Sequence, residues 1–199
     1  MNILKPFFLG IFSALIALVF EITYSFTPGF SFEILFQQTS LMLVAFVVIE
    51  ELAKFSFVWK NFSVGTGKFS KLQIFCQSLL IGLGFAITEA TFKAYDLLPG
   101  GLGESSLFLL FFGAIIIHIG TSGLMGYLLV NAKKINFWFF PEVLLIVFGW
   151  HFLFNFFVIK AVNSWLIASL LLVLGFFVIL AGFKIATSQK IMHNEKLAK

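Results

Sequence analysis

Long apolar stretches dominate this sequence, and they limit the folds that the chain can adopt. A helix that crosses a bilayer needs about 20 predominantly apolar residues. Six windows of roughly that length are Pro6–Phe26, Ser40–Trp59, Phe75–Tyr95, Leu107–Val130, Pro141–Ile159 and Ser164–Ala186. Short connections that contain polar residues, glycine or proline separate the windows. The pattern predicts an all-α fold, a polytopic membrane helical bundle with about six transmembrane helices in the lipid bilayer.

The composition agrees with a membrane protein. Of the 199 residues, 60% are hydrophobic and 11% are charged, whereas about 25% are charged in a typical soluble domain. With no repeat or low-complexity tract in the sequence, we expect a single transmembrane domain over residues 1–199. The net charge of +4 comes without the basic stripe that nucleic-acid binding requires, so we expect no nucleic-acid partner. The lone Cys76 excludes an internal disulfide and a cysteine-cluster metal site.

Lysines are concentrated in alternate connections, and this asymmetry predicts the orientation. Cytoplasmic loops of membrane proteins carry an excess of basic residues. We therefore expect an integral, multi-pass protein of the cytoplasmic membrane with both termini in the cytoplasm. The lysines on the predicted cytoplasmic side are Lys5, Lys60, Lys68, Lys71, Lys133, Lys134, Lys184, Lys190, Lys196 and Lys199.

Ionisable side chains inside the apolar windows are the strongest indication of function. Glu50 and Glu51 are adjacent in the second window, and an ionised acid at a membrane helix centre costs roughly 2.5–3.5 kcal/mol. Stability alone gives no reason to keep two of them. Glu89, His118 and His151 lie in three further windows. Such residues indicate a functional site by default, so we expect the five side chains to share one water-accessible cavity.

Helical spacing gives these residues neighbours. Residues three or four apart share a helix face, so Lys54 can pair with the glutamates and keep at least one of them ionised. In the same way Phe85 and Glu89, four residues apart, lie on one face of their helix. Asn155 lies one turn after His151, and the two side chains can donate hydrogen bonds to one developing oxyanion.

Simpler interpretations exist for several of these features. A histidine in a membrane helix often only bonds to another helix, and the Gly120–Gly126 ridge is typical of close helix packing. What favours a site is that acids, imidazoles and an amide occur together. Together they can supply a base, its partner and oxyanion donors.

The ordered motifs resemble the PrsW branch of a superfamily that contains CAAX proteases and bacteriocin-processing proteins (CPBP, also called Abi). Glu50-Glu51-x-x-Lys54 is similar to its paired-glutamate motif. Phe85 followed by Glu89, the isolated His118, and His151-x-x-x-Asn155 are similar to the later motifs. The CAAX branch typically has His at the position of Glu89 and Arg one residue beyond Lys54, which favours the PrsW branch. The resemblance spans Ser40 to Asn155.

The resemblance implies an intramembrane protease that hydrolyses membrane-anchored peptides or proteins. In this hypothesis Glu50 or Glu51 takes a proton from water. The other carboxylate tunes the pKa of that base, because two close acids rarely ionise together. His151 and Asn155 stabilise the oxyanion, while Glu89 and His118 position water or protonate the leaving amine. We expect no cofactor.

Four alternatives remain open at this point. A zinc ion held by His118, His151 and one carboxylate would give a metalloenzyme. Ser122, near His118, is a possible nucleophile. A proton-coupled carrier also keeps buried acids, although carriers usually show a two-fold repeat. The fourth alternative is a non-catalytic scaffold that binds membrane helices through its glycines. It stays open because the superfamily includes the scaffold subunit of gamma-secretase.

Overall fold

The computed structural model describes residues 4–25, 39–65, 67–97, 104–132, 134–160 and 164–197. Within these ranges the chain forms α-helices and no β-strand. The helices are α1 (Leu4–Ser25), α2 (Thr39–Gly65), α3 (Lys71–Leu97), α4 (Glu104–Asn131), α5 (Phe139–Ile159) and α6 (Ser164–Leu197). The predicted all-α bundle is therefore confirmed.

Five of these helices are long and apolar enough to cross a membrane. The candidate spans are Leu4–Thr23, Lys71–Phe92, Phe111–Asn131, Phe139–Ile159 and Trp165–Ile191. The remaining helix, α2, has 27 residues and is about 40 Å long at 1.5 Å per residue. It is long enough to span the bilayer, but it carries Glu50, Glu51 and Lys54 near its middle. The chain is an integral membrane protein.

Glycines bring α1, α3 and α4 into close backbone contact. A Cβ added at Gly10 of α1 would overlap the carbonyl oxygen of Ile81 in α3, and one added at Gly84 would overlap the carbonyl of Phe7. A Cβ at Gly82 would lie 2.5 Å from the carbonyl oxygen of His118 in α4. Small residues allow such close approach between membrane helices, and here they fix α3 against both neighbours.

The glycines of α4 also pack inside the bundle. Gly120 faces Leu174 of α6, Gly123 faces Leu79 and Val178, and Gly126 faces Ser78. The packing interpretation of this ridge is therefore confirmed. Its glycines contact other helices of the same chain, so the ridge does not offer a free surface to a second membrane protein.

Four helices, α2 to α5, surround the main core. An apolar cluster joins them through Phe55, Val58, Ile81, Met125, Leu129, Val143 and Val147. Phe140 at the start of α5 packs edge-on against Phe55 and Trp59 of α2, with ring centroids 5.8 and 4.9 Å apart. The start of α5 thus lies beside the second half of α2, so the two helices are antiparallel. As a result the middles of both helices lie side by side.

The connection between α2 and α3 shows how the sequence starts a helix. Gly67 has a φ of 82°, a left-handed conformation that glycine adopts without steric cost. The backbone N–H of Ser70 donates to Gln73 Oε1 at 2.8 Å, and the N–H of Gln73 donates to Ser70 Oγ at 3.2 Å. This reciprocal pair is a capping box, and it fixes where α3 begins.

Candidate functional site

The middle of α2 directs three ionisable side chains into the bundle. Glu50, Glu51 and Lys54 are 4%, 1% and 0% exposed. Helical spacing brings Lys54 back over Glu51, and Lys54 Nζ donates to Glu51 Oε1 at 2.5 Å. The predicted pairing of Lys54 with a glutamate is therefore present, and its partner is Glu51.

Lys54 also reaches α4. Its Nζ lies 2.9 Å from Thr121 Oγ1 and 3.0 Å from His118 Nδ1. The ring of Phe85 in α3 lies below the ammonium, with its centroid 5.1 Å from Nζ, in range of a cation–π attraction. One buried ammonium thus contacts side chains from three helices.

His151 of α5 meets both glutamates of α2. Its Nδ1 lies 2.6 Å from Glu51 Oε1, and its Nε2 lies 3.3 Å from Glu50 Oε2. The imidazole is 1% exposed. The antiparallel packing of α2 and α5 therefore places one imidazole between two adjacent carboxylates.

His118 of α4 completes the cluster. Its Nε2 contacts Glu89 Oε2 of α3, and its ring lies 4.7 Å from the ring of Phe85. The rings of His118 and His151 are also 4.7 Å apart. The structure therefore brings together the predicted ionisable residues of four helices, with Phe85 packed beneath them.

Two further sequence candidates do not join these contacts. Asn155 lies one turn after His151 and is half-buried, and it forms no hydrogen bond within the part of the chain that the structure describes. The hydroxyl of Ser122 is buried, and within the same residues it has no hydrogen-bond partner. Because both nitrogens of His118 face other side chains, the serine–histidine pair that the sequence left open is not formed.

The expected water-accessible cavity is closed in this structure. The side chains of Glu50, Glu51, His118 and His151 are each at most 5% exposed, and that of Glu89 is 12% exposed. The ring of His118 packs against the rings of Phe85 and His151, with centroids 4.7 Å apart in both pairs. Glu89 is the most exposed of these five side chains.

Sequence reasoning missed Thr121. Its hydroxyl accepts from Lys54 and lies 3.5 Å from Glu51 Oε1. The available signal was its position three residues after His118, which puts both side chains on one face of α4.

Three of the clustered residues can hold a metal ion. Glu50, His118 and His151 each offer one ligand atom, and the three atoms lie within 4.8 Å of one another. Two imidazoles and one carboxylate are a known catalytic zinc set. The contact between His151 Nδ1 and Glu51 is the outer-shell arrangement typical of metal-binding histidines. Glu51 Oε2 is buried and, among the described residues, lacks a hydrogen-bond partner. The donor chemistry fits a divalent metal.

Comparison with known proteins gives one match, to a protein family. No curated protein and no solved structure matches the chain. The family described as PrsW family intramembrane metalloprotease matches residues 2–183, a range that contains every helix residue of the cluster. With that match over most of its length, the chain belongs to the PrsW family of intramembrane metalloproteases.

Proposed function

We propose that this protein is an intramembrane endopeptidase that hydrolyses peptide bonds of membrane-anchored substrates at the cluster between α2 and α5. The observation that carries the proposal is the convergence of His118 and His151 with carboxylates from α2 and α3. Burying these groups costs free energy even when they are paired. Their joint presence in one place is explained by chemistry and not by stability.

The surroundings of the two adjacent glutamates differ, and the difference suggests separate roles. Glu51 Oε1 is held by Lys54 at 2.5 Å and by His151 at 2.6 Å, so Glu51 orients its neighbours. Glu50 faces His151 Nε2 at the longer distance of 3.3 Å. Without a metal, Glu50 would be the general base that takes a proton from the attacking water, with His151 beside it to share that proton. With a metal bound, Glu50 would be a ligand instead.

The other side of the cluster supplies groups for the later steps. His118 and Glu89 are in contact, and together they can carry a proton to the leaving amine. Asn155 is half-buried one turn after His151, where its amide can donate to the developing oxyanion. These roles place the attacking water on the Glu50 side and the leaving group on the Glu89 side.

The residues that would hold a metal are Glu50, His118 and His151. A zinc ion there would supply a polarised carbonyl and a water that is nucleophilic at neutral pH. Glu51 would orient His151 through the Nδ1 contact. In this alternative Glu50 and His118 would be ligands, and the roles of base and proton carrier given to them above apply only to the metal-free mechanism. The family description and this donor set favour the zinc alternative over the metal-free mechanism that the sequence alone suggested.

Several wider features belong to the same proposal. We place the PrsW family, and this chain with it, in the CAAX protease and bacteriocin-processing superfamily on the strength of the ordered motifs from Glu50 to Asn155. We propose one domain over residues 1–199, located in the cytoplasmic membrane with both termini in the cytoplasm. The lysine distribution supports that orientation.

A peptide-cleavage assay tests the proposal. Purified protein in lipid nanodiscs is incubated with a library of membrane-anchored peptides, and products are identified by mass spectrometry. The wild type is compared with Glu50→Gln, and Glu142→Gln serves as the matched control because Glu142 is exposed at the start of α5. We expect cleavage by the wild type and the control, and none by Glu50→Gln. Equal cleavage by all three proteins would refute the proposed base.

A further inference from the structure

Lys54 has an unusual position for a lysine, because its ammonium is fully buried and has an identified partner for each of its protons. The partners are Glu51 Oε1, Thr121 Oγ1 and His118 Nδ1, at 2.5, 2.9 and 3.0 Å. A lysine ammonium has three N–H donors and no acceptor. Each of these three contacts of Nζ is therefore a donated hydrogen bond, including the one to His118.

This donor fixes the proton on the ring of His118. Since Nδ1 accepts from Lys54, Nδ1 carries a lone pair and no proton. A neutral imidazole has one N–H and one acceptor nitrogen, so the proton lies on Nε2. That nitrogen contacts the carboxylate of Glu89, which accepts the hydrogen bond. His118 is thus held as the Nε2–H tautomer by Lys54 on one side and Glu89 on the other.

His151 is held in the opposite way. Its Nδ1 lies 2.6 Å from Glu51 Oε1, and an ionised carboxylate can only accept, so Nδ1 carries the proton. The lone pair is then on Nε2, which faces Glu50 Oε2 at 3.3 Å. A lone pair opposite a carboxylate needs a shared proton or a cation between them. His151 is therefore preset to bind a cation through Nε2, whereas His118 is preset to donate.

We propose that Lys54 is a positioning residue that keeps His118 in the Nε2–H tautomer and thereby weakens metal binding at Glu50, His118 and His151. A ligand nitrogen needs a free lone pair, and Nε2 of this tautomer has none while Nδ1 is occupied by Lys54. His118 can bind a metal only when the hydrogen bond from Lys54 is broken. The metal part of this inference rests on the proposed function, whereas the tautomers do not.

The positive charge of Lys54 also weakens metal binding. Its ammonium is 3.0 Å from a ring that would bind the metal, and in a low-dielectric interior like charges repel far more strongly than in water. Lys54 therefore opposes a divalent cation by charge as well as by hydrogen bonding. Loss of a supporting outer-shell partner typically lowers metal affinity about 10–100-fold. Because Lys54 opposes the metal, its removal should change the affinity by a similar factor in the other direction.

Nitrogen-15 NMR of the histidine rings tests the first part of the proposal, that Lys54 keeps His118 in the Nε2–H tautomer. The chain has three histidines, so ¹⁵N-histidine labelling gives few signals, and His118→Gln and His151→Gln variants assign them. In metal-free wild type we expect His118 as the Nε2–H tautomer and His151 as the Nδ1–H tautomer. His118 found as the Nδ1–H tautomer would overturn the inference. This measurement needs no Lys54 variant, so it stands even where such a variant does not fold.

Zinc titration tests the second part of the proposal, that Lys54 weakens metal binding. Zinc affinity is measured by calorimetry for the wild type, Lys54→Met, and the control Lys60→Met, which makes the same substitution at an exposed position of α2. We expect Lys54→Met to bind zinc about 10–100-fold more tightly and to lose the fixed His118 tautomer, and Lys60→Met to match the wild type. Equal affinity in all three proteins, or no binding by any, would overturn it.

These outcomes are separate from those of the cleavage assay. The tautomers and the zinc affinities are read without substrate. A protein with the expected tautomers that cleaves no peptide would refute the proposed protease and leave the role of Lys54 in place. A protein that cleaves peptides but shows the opposite His118 tautomer would support the proposed protease and refute the role of Lys54.

Discussion

The imidazole rings of His118 and His151 lie 4.7 Å apart and stand at 88° to one another, although they belong to α4 and α5. Each ring contacts carboxylates from a further helix, Glu89 of α3 for His118 and the glutamate pair of α2 for His151. The proposed chemistry therefore depends on the relative positions of four helices. A change that shifts one helix against another should affect activity even when it leaves every ionisable residue in place.

The two adjacent glutamates should respond differently to the same substitution. Glu51→Gln leaves the buried ammonium of Lys54 without its carboxylate, and breaking a buried ion pair in this way typically costs about 3–5 kcal/mol. Glu50→Gln removes a longer contact to His151 and should leave the fold intact. We expect both variants to lose cleavage and only Glu51→Gln to unfold at a clearly lower temperature. Equal melting temperatures for the two variants would contradict the assigned pairing.

The sequence alone does not distinguish the stability effects of these two variants, and the structure does. Helical spacing allowed Lys54 to reach either glutamate. Which one it binds depends on side-chain packing against α4 and α5, which spacing within α2 does not determine. The stability difference between Glu50→Gln and Glu51→Gln thus follows from tertiary contacts.

The ionisable members of the site could be predicted because burial in an apolar helix is costly for them. Glu89, His118 and His151 stand out in windows that otherwise contain almost only apolar residues. Thr121 could not be identified in the same way, since a threonine in a membrane helix can satisfy its hydroxyl on its own backbone. Its contact with Lys54 depends on how α2 and α4 are rotated, and the helical period leaves that rotation open.

The ends of the helices were less predictable than their existence. The apolar windows ended at Trp59 and Ala186, whereas α2 continues to Gly65 and α6 to Leu197. Hydropathy reports where a helix leaves the bilayer, and the polar residues beyond that point continue the same helix. The window edges therefore describe the membrane more closely than they describe the secondary structure.

A methyl group at Gly82 should disturb the site without touching an ionisable residue. The added Cβ of Gly82→Ala would lie 2.5 Å from the carbonyl oxygen of His118, so α3 and α4 must separate. Overpacking of this kind typically costs about 1–3 kcal/mol. We expect lower thermal stability and reduced cleavage, because Glu89 and His118 lie on the two helices that move apart.

Gly149→Ala is the matched control for that variant. Gly149 is helical, lies two residues before His151, and has no neighbouring atom within 4 Å of an added Cβ. Alanine favours a helix over glycine by about 1 kcal/mol, so the melting temperature should stay the same or rise. If Gly82→Ala were as stable and active as Gly149→Ala, the close contact of α3 and α4 would not matter for the site.

Asn155→Ala should slow cleavage while leaving the fold unchanged. Loss of one oxyanion donor costs about 10²–10³ in rate, and Asn155 is half-buried without a hydrogen bond to the described residues. The rate constant kcat is measured together with the melting temperature, and Asn131→Ala at the exposed end of α4 is the control. An unchanged kcat would remove Asn155 from the mechanism.

The lysine distribution predicts a topology that reporter fusions can test. Six spans with both termini in the cytoplasm require a cytoplasmic reporter signal after Lys134 and an extracytoplasmic one after Gly101. The same arrangement requires α2 to cross the bilayer despite Glu50, Glu51 and Lys54. Reversed signals at these two fusion points would overturn the orientation, and equal signals on one side would show that α4 does not cross the bilayer.

Removal of metal should abolish cleavage if Glu50, His118 and His151 hold a zinc ion. Their ligand atoms lie within 4.8 Å of one another, and the family is described as metalloproteases. We expect elemental analysis of active protein to find about one zinc per chain, consistent with a three-residue catalytic site. Exhaustive chelation should stop cleavage and zinc should restore it. His151→Gln should lose the zinc, because that residue offers the lone pair that is ready to bind. Full activity after chelation, with no metal retained, would instead support the metal-free mechanism, in which Glu50 activates water and Asn155 stabilises the oxyanion.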